Sequence, residues 1–456
     1  MLIEHGNRVM RFGRCRGVNI AAGVAAYLTA AAVALAAPAS AQSLLTSREC
    51  PHTSNLPNPI ERRIQDCSDV IASGRYSGKD LVAYYRSRGQ LYAVKGDFNH
   101  AFQDLDQVIV LDPDSAFEFY VRGEVYREKK KDYDRAIADF DRAIQIKPDY
   151  PTAFYSRALA WGAKGDPDRA IADYGEAIRI FPKYAEAWTG RGSIYRNKGN
   201  ADRAIADYDE AIKLAPNYVL ALVDRGNVYQ AKGDDVRAVA DYDAALRIDP
   251  NYARAWVGRG SLFGSNGETD RAIASYDQAI KLDPNYVLAY ANRGDCYVNK
   301  KDYDRAIVDY DQAIRLQSGF AMAWGHRGRA YLWKNDLDHA IADLNEAIRI
   351  DPKNARDFNN RGASFYRKKE YTRAIADYSE ALQINPAFAE ALFWRGAARR
   401  LDRDKAGGDA DIAAAIKINP ILAGYPMDVP PPFTCVYALC GKKGDAFQQA
   451  IQGKQQ

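Results

Sequence analysis

The chain has 456 residues, 47% hydrophobic and 27% charged, with 63 Lys and Arg against 59 Asp and Glu and a formal charge of +4. This composition supplies ample apolar material for a core and excludes wholesale disorder. The positive excess sits mostly in the first 41 residues: removing them takes away four arginines and one glutamate and leaves +1, which gives no support to nucleic-acid binding through a basic field.

In chain order, Arg8, Arg11, Arg14 and Arg16 precede an Ala-rich apolar run from Val18 to Ala37, which leads to Ala39-Ser40-Ala41 before Gln42. A charged head, an apolar middle and an A-x-A exit predict a signal peptide over 1–41 and delivery to a bacterial periplasm. The run is also about long enough to span a bilayer, so an uncleaved inner-membrane anchor is the alternative. Residues 42–81 follow as an N-terminal cap, in which Ile60 to Ala72 reads as a lone helix, half of a repeat.

A period then takes over. Arg-Gly pairs stand at 88, 122, 191, 225, 259, 293, 327, 361 and 395, with Arg157-Ala158 filling the gap, and from Arg191 onward every step is 34 residues. Prolines keep the same beat at 148, 182, 216, 250, 284, 352, 386 and 420, with Ser318 in the one vacant place. Each unit predicts two helices. In the unit from Val219 to Tyr252, Leu222, Gly226 and Tyr229 recur at helical spacing and Lys232-Gly233-Asp234 breaks the run. Asp234 or Asp235 can cap the second helix, whose Ala238, Tyr242, Ala245 and Leu246 share a face. Asp132 belongs to the one unit with an extra residue, assigned to the inter-helix turn.

Trp188, Gly192, Tyr195, Ala204, Tyr208, Ala211 and Pro216 resemble the tetratricopeptide repeat, and the resemblance runs over ten copies through residues 82–422. It implies an all-α, right-handed superhelical solenoid with a concave groove lined mainly by first helices, stabilised by stacking of neighbours. It also implies a non-enzymatic scaffold or adaptor that binds protein or peptide segments. One departure is consistent: Arg precedes the glycine where the family commonly has Leu. Its stem is expected to pack, and its guanidinium to pair with the Asp-rich second helix, Asp207 or Asp209 for Arg191. At the far end, Lys405 to Ile418 replaces the usual pattern with Gly407-Gly408, and residues 423–456 read as a C-terminal cap and tail.

Five cysteines follow the export signal. A solenoid keeps its ends apart, so Cys50 with Cys67 and Cys435 with Cys440 are the expected disulfides, each stapling a cap. Cys296 falls in a small, mostly apolar slot and is expected to be a buried thiol. Cys50, His52 and Cys67 supply only three zinc-type ligands, CVYALC lacks the C-x-x-C spacing of thiol oxidoreductases, and no G-x-S-x-G or Walker-type loop occurs. No cofactor, metal or catalytic residue is therefore assigned. A thiol or metal enzyme using the terminal cysteines is the reading from a different class.

What remains is the groove. The resemblance places Arg254, Asn292, Asp295, His326, Arg329, Trp333, Arg356, Asn359, Asn360 and Arg367 on or near the concave side in the C-terminal half, with Glu124, Glu186, Asp224 and Asn227 in the N-terminal half. The expectation is a polarised groove, more basic toward its C-terminal end, that favours acidic groups of a partner there. Neither nucleic acid nor, after cleavage, membrane is expected as a partner. Self-association through the exposed ends stays open.

Overall fold

A computed structural model describes residues 59–424. The predicted signal segment and Cys50, His52, Cys435 and Cys440 lie outside the described residues. The described chain is helical throughout apart from short turns, and it divides between Pro216 and Asn217 into two compact units.

The first unit opens with a lone helix, α1 (Pro59–Ala72), packed on α2 (Val82–Lys95). Four antiparallel pairs follow: α2 with α3 (Phe98–Leu111), α4 (Ala116–Val125) with α5 (Tyr133–Ile146), α6 (Pro151–Lys164) with α7 (Pro167–Ile180), and α8 (Ala185–Asn197) with α9 (Ala201–Leu214). The second unit stacks six: α10 (Val219–Ala231) with α11 (Asp235–Ile248), α12 (Ala253–Ser265) with α13 (Thr269–Leu282), α14 (Val287–Asn299) with α15 (Tyr303–Leu316), α16 (Ala321–Trp333) with α17 (Leu337–Ile350), α18 (Ala355–Arg367) with α19 (Tyr371–Ile384), and α20 (Ala389–Leu401) with α21 (Lys405–Ile418). Each unit is thus an all-α solenoid of helix-turn-helix repeats. No described helix is long and apolar enough to cross a membrane.

The turns follow from capping. Asp97, Asp132, Asp166, Asn200, Asp234, Asp302, Asp336 and Asp404 each accept a bond from the backbone N–H three residues on, which satisfies an orphan donor of the second helix. The extra residue of the second pair is absorbed as a π-helical turn, Tyr126–Lys130, after which left-handed Lys131 leads into the Asp132 cap.

The core repeats one contact. A Cβ added at Gly294 would lie 2.7 Å from the Tyr310 ring, and one at Gly226 2.9 Å from that of Tyr242. Glycine on the first helix therefore lets the aromatic of the second press against its backbone, and Tyr242 and Tyr310 are fully buried. Beside each glycine the arginine forms a fork. Arg191 Nε and Nη2 donate to the two oxygens of Asp207 at 2.9 and 2.8 Å, which selects Asp207 over Asp209. The same fork joins Arg88 to Asp104, Arg293 to Asp309, Arg327 to Asp343 and Arg361 to Asp377. The third nitrogen reaches back to the preceding repeat, as Arg293 Nη1 does to Asp277, so one guanidinium clamps two repeats. Arg259 is the exception: Ser275 stands where the forked aspartate would be, and Arg259 pairs only backward with Asp243 at 2.9 Å.

Cys296 is buried at 4% exposure, and burial pushes its thiol up to about 12. Cys67 is fully buried between Ile64, Val70, Tyr84 and Leu91 and is disulfide-bonded; the other half of that bond lies outside the described residues.

Candidate protein-binding face

In the second unit each first helix touches the first helix of the next pair, from α10 through α12, α14, α16 and α18 to α20. This row makes one continuous face, and the predicted site residues lie along it. Most of its charges already have partners. Arg254 is ion-paired with Asp224, which is buried at 3% exposure. Asn227 accepts a 2.8 Å bond from the Tyr242 hydroxyl, and Asn292 bonds the phenol of Tyr276.

The densest cluster centres on Asp295 of α14. His326 Nδ1 at 2.8 Å and Arg329 Nη2 at 3.2 Å, both on α16, converge on its Oδ1, and the Tyr310 hydroxyl donates to the same oxygen at 2.7 Å. Burial works against the charge of Asp295, yet these three neighbours hold it below the usual carboxylate range. Three predicted residues therefore meet, and the charge of Arg329 is taken up by Asp295 instead of being left for a ligand.

The same cluster holds an acid that the sequence reading missed. Asp357 stands where Ala187, Ala221, Ala255, Ala289, Ala323 and Ala391 stand in other repeats, and it is 4% exposed. Room for it comes from Gly325, where an added Cβ would lie 2.5 Å from Asp357 Oδ1. Burial raises its pKa to about 6 in spite of His326, Asn354 and Arg329, which favour the charge. A carboxylate in an alanine slot was the available signal, hidden by attention to the outward register.

Beyond this cluster the chemistry changes. Arg356 is exposed, and among the described residues no carboxylate pairs with its side chain. Arg367 is half-buried and donates to the Leu332 carbonyl at 2.7 Å; burial lowers its pKa, and no described carboxylate neutralises it. Asn359 and Asn360 are buried at 2% and 8% exposure, and among the described residues neither Asn359 Oδ1 nor Trp333 Nε1 has a hydrogen-bond partner. Arg329 lies 5.2 Å from the Trp333 ring centroid. Among the described residues of this face, the arginines without a carboxylate partner are thus those of α18, Arg356 and Arg367.

In the first unit, Glu124 is paired with Arg127 at 2.7 Å, whereas Glu186 is exposed with no described ion-pair partner. Among the described residues no group of three or more His, Cys, Asp or Glu is arranged to hold a metal ion.

Family profiles described as "Tetratricopeptide repeat" match residues 155–219, 195–253 and 287–320, and one described as "TPR repeat" matches 123–165, 260–301, 328–369 and 364–399. Together they cover more than half of the chain. Similar solved structures include a tetratricopeptide repeat protein from Parabacteroides merdae, at 18% identity over 58% of this chain and 98% of that one, with a TM-score of 0.43. The Cut9–Hcn1 hetero-tetramer of the APC/C matches at 14% identity over 90% of this chain and 98% of that one, TM-score 0.49. MamA matches at 30% identity over 36% of this chain and 95% of that one, TM-score 0.32. No curated protein matches.

Proposed function

We propose that the chain, a member of the tetratricopeptide repeat family, is a non-enzymatic scaffold for protein interaction, and that the first-helix face of its second unit holds an extended segment of another protein, with acidic side chains of that segment received at α18. The observation that carries this reading is the isolation of Arg356 and Arg367. Arg254 and Arg329 are already paired with Asp224 and Asp295, whereas Arg356 and Arg367 have no described counter-charge. Asn359 Oδ1 on α18 and Trp333 Nε1 on the adjoining α16, both buried and without a described hydrogen-bond partner, add hydrogen-bonding capacity. Binding there would place a partner's carboxylates against a guanidinium that no internal acid competes for.

The test is the affinity of a labelled Glu-containing peptide for the full chain and for Arg356→Glu. The expected loss is roughly tenfold, growing weaker with salt. Equal affinities would remove α18 as the receiving site. Arg329→Glu is unsuitable as the primary variant, since it also leaves Asp295 short of a partner.

We also propose export, on the signal pattern of residues 1–41, with Cys50–Cys67 and Cys435–Cys440 stapling the caps. The buried, bonded state of Cys67 supports the first staple. Mass spectrometry of the secreted chain should find an amino terminus at Gln42; an intact leader would favour the anchored alternative.

A further inference from the structure

The first unit carries a face of different chemistry. Tyr120 on α4 and Tyr155 on α6 occupy a register position that holds Thr189 on α8 and Val223, Val257, Ala291 and Gly325 in the second unit. Their rings lie against Tyr150 and Tyr184, the residues just before α6 and α8, with centroids 5.3 Å apart for Tyr120–Tyr150 and 5.1 Å for Tyr155–Tyr184. All four tyrosines are half-buried. Tyr150 and Tyr184 belong to the frame, since Tyr218, Tyr252, Tyr286, Phe320 and Phe388 hold the same position in later repeats. Tyr120 and Tyr155 are the variable residues, and they turn that frame into two ring pairs on consecutive repeats.

Carboxylates surround the rings. Burial first, then Glu186, pushes the Tyr155 phenol up to about 12, with Glu124 adding to it. Burial and the neighbouring Tyr155 and Tyr120, followed by Glu186 and Glu124, raise that of Tyr184, so these rings and acids share one patch. Arg127 takes up Glu124 at 2.7 Å and Glu128 at 2.9 Å. Glu118 sits beside Tyr150 at 1% exposure in the alanine slot of other repeats; Arg86 engages its Oε1, and its Oε2 has no hydrogen-bond partner among the described residues. Glu186 has no described ion-pair partner at all. Four acids thus face two arginines: Arg86 engages Glu118, Glu124 and Glu128 share Arg127, and Glu186 is left without a described ion-pair partner.

We propose that this face binds a basic side chain, lysine or arginine, from an extended segment of a partner protein, with the cation set against the Tyr155 and Tyr184 rings and paired with Glu186. A cation over an aromatic face gains from the ring quadrupole, and more where water is displaced. An apolar segment would strip water from Glu186 without compensation, and an acidic one would meet like charge. The inference does not rest on the reading of α18, because it concerns other residues in the other unit.

The experiment is fluorescence anisotropy of three labelled peptides of equal length, with Lys, Glu or neither spaced by Gly and Ser, titrated with the full chain, Glu186→Lys, Tyr155→Leu and Arg356→Glu. The Lys peptide should bind more tightly than the uncharged one, weaken roughly tenfold with Glu186→Lys and roughly threefold with Tyr155→Leu, and keep its affinity with Arg356→Glu. Glu186 is exposed, so its reversal leaves the fold intact; an unchanged circular dichroism spectrum verifies this for Tyr155→Leu. Equal binding of the Lys and uncharged peptides, or a Lys-peptide affinity indifferent to Glu186→Lys, overturns the proposal. Loss of Glu-peptide binding with Arg356→Glu alone would speak to α18 and leave the present result separate.

Discussion

Replacing Asp357 with asparagine should stabilise the second unit at neutral pH by an amount that disappears in acid. The side chain is 4% exposed, and burial, the largest influence, raises its pKa from 3.8 to about 6 although His326, Asn354 and Arg329 favour the charge. A carboxyl whose folded pKa exceeds its unfolded one binds its proton more tightly in the native state. Its contribution is therefore fully present below about pH 4 and is lost as pH rises through about 6. A shift of about two units corresponds to about 3 kcal/mol of ionisation cost at neutral pH. Asparagine has nearly the same shape and can keep accepting from Asn354, now 2.6 Å from Asp357 Oδ2, but it forgoes the attraction of His326 and Arg329. The net gain at about pH 7.5 should be about 1–3 kcal/mol, falling toward zero near pH 4. Urea denaturation followed by far-UV circular dichroism measures this as the difference between variant and wild type at each pH, which cancels the other carboxylates. Hydrogen exchange of α16 and α18 localises the effect, as solenoids open repeat by repeat. A variant less stable than wild type at neutral pH, or one whose advantage is the same at both ends of the range, would refute the reasoning.

Three further outcomes follow from the repeat frame. Ser275→Asp should give Arg259 the forked partner present elsewhere and raise the urea midpoint, by about 1 kcal/mol in stability; no rise would mean that the fork contributes little. Gly294→Ala should cost about 1–3 kcal/mol, because its Cβ would meet the Tyr310 ring at 2.7 Å; an unchanged thermal midpoint would contradict this. Cys296, buried and with its thiol pushed up to about 12, should resist thiol reagents in the native chain and react once urea is added; rapid native labelling would place it at the surface.

The fold was largely legible because the repeat makes local and global signals agree. The sequence offers Asp234 or Asp235 as the cap of α11, and Asp234 is the one that accepts from the Arg237 N–H; it also marks Gly226 and Tyr242 on the two helices, which the structure brings face to face. The extra residue near Asp132 was assigned to the turn, where it forms a π-helical turn. The site was legible only in position. Register puts Arg254, His326 and Arg329 on the first-helix row, but a sequence does not say that Asp224 and Asp295 lie within reach of them. Such pairings span 30 to 34 residues and depend on how adjacent repeats stack. Asp357 and Glu118 escaped for a related reason: both occupy a slot that alanine fills in other repeats, so a reading that looked outward for ligands passed over charge placed inward.

The most direct measurement of the central claim is the hydrogen-exchange footprint of a Glu-containing peptide on the full chain. The account predicts slowed exchange concentrated in α16 and α18, around Trp333 and residues 355–367, and no such footprint with Arg356→Glu. Protection confined to the second helices, or a footprint on α18 that survives Arg356→Glu, would contradict it.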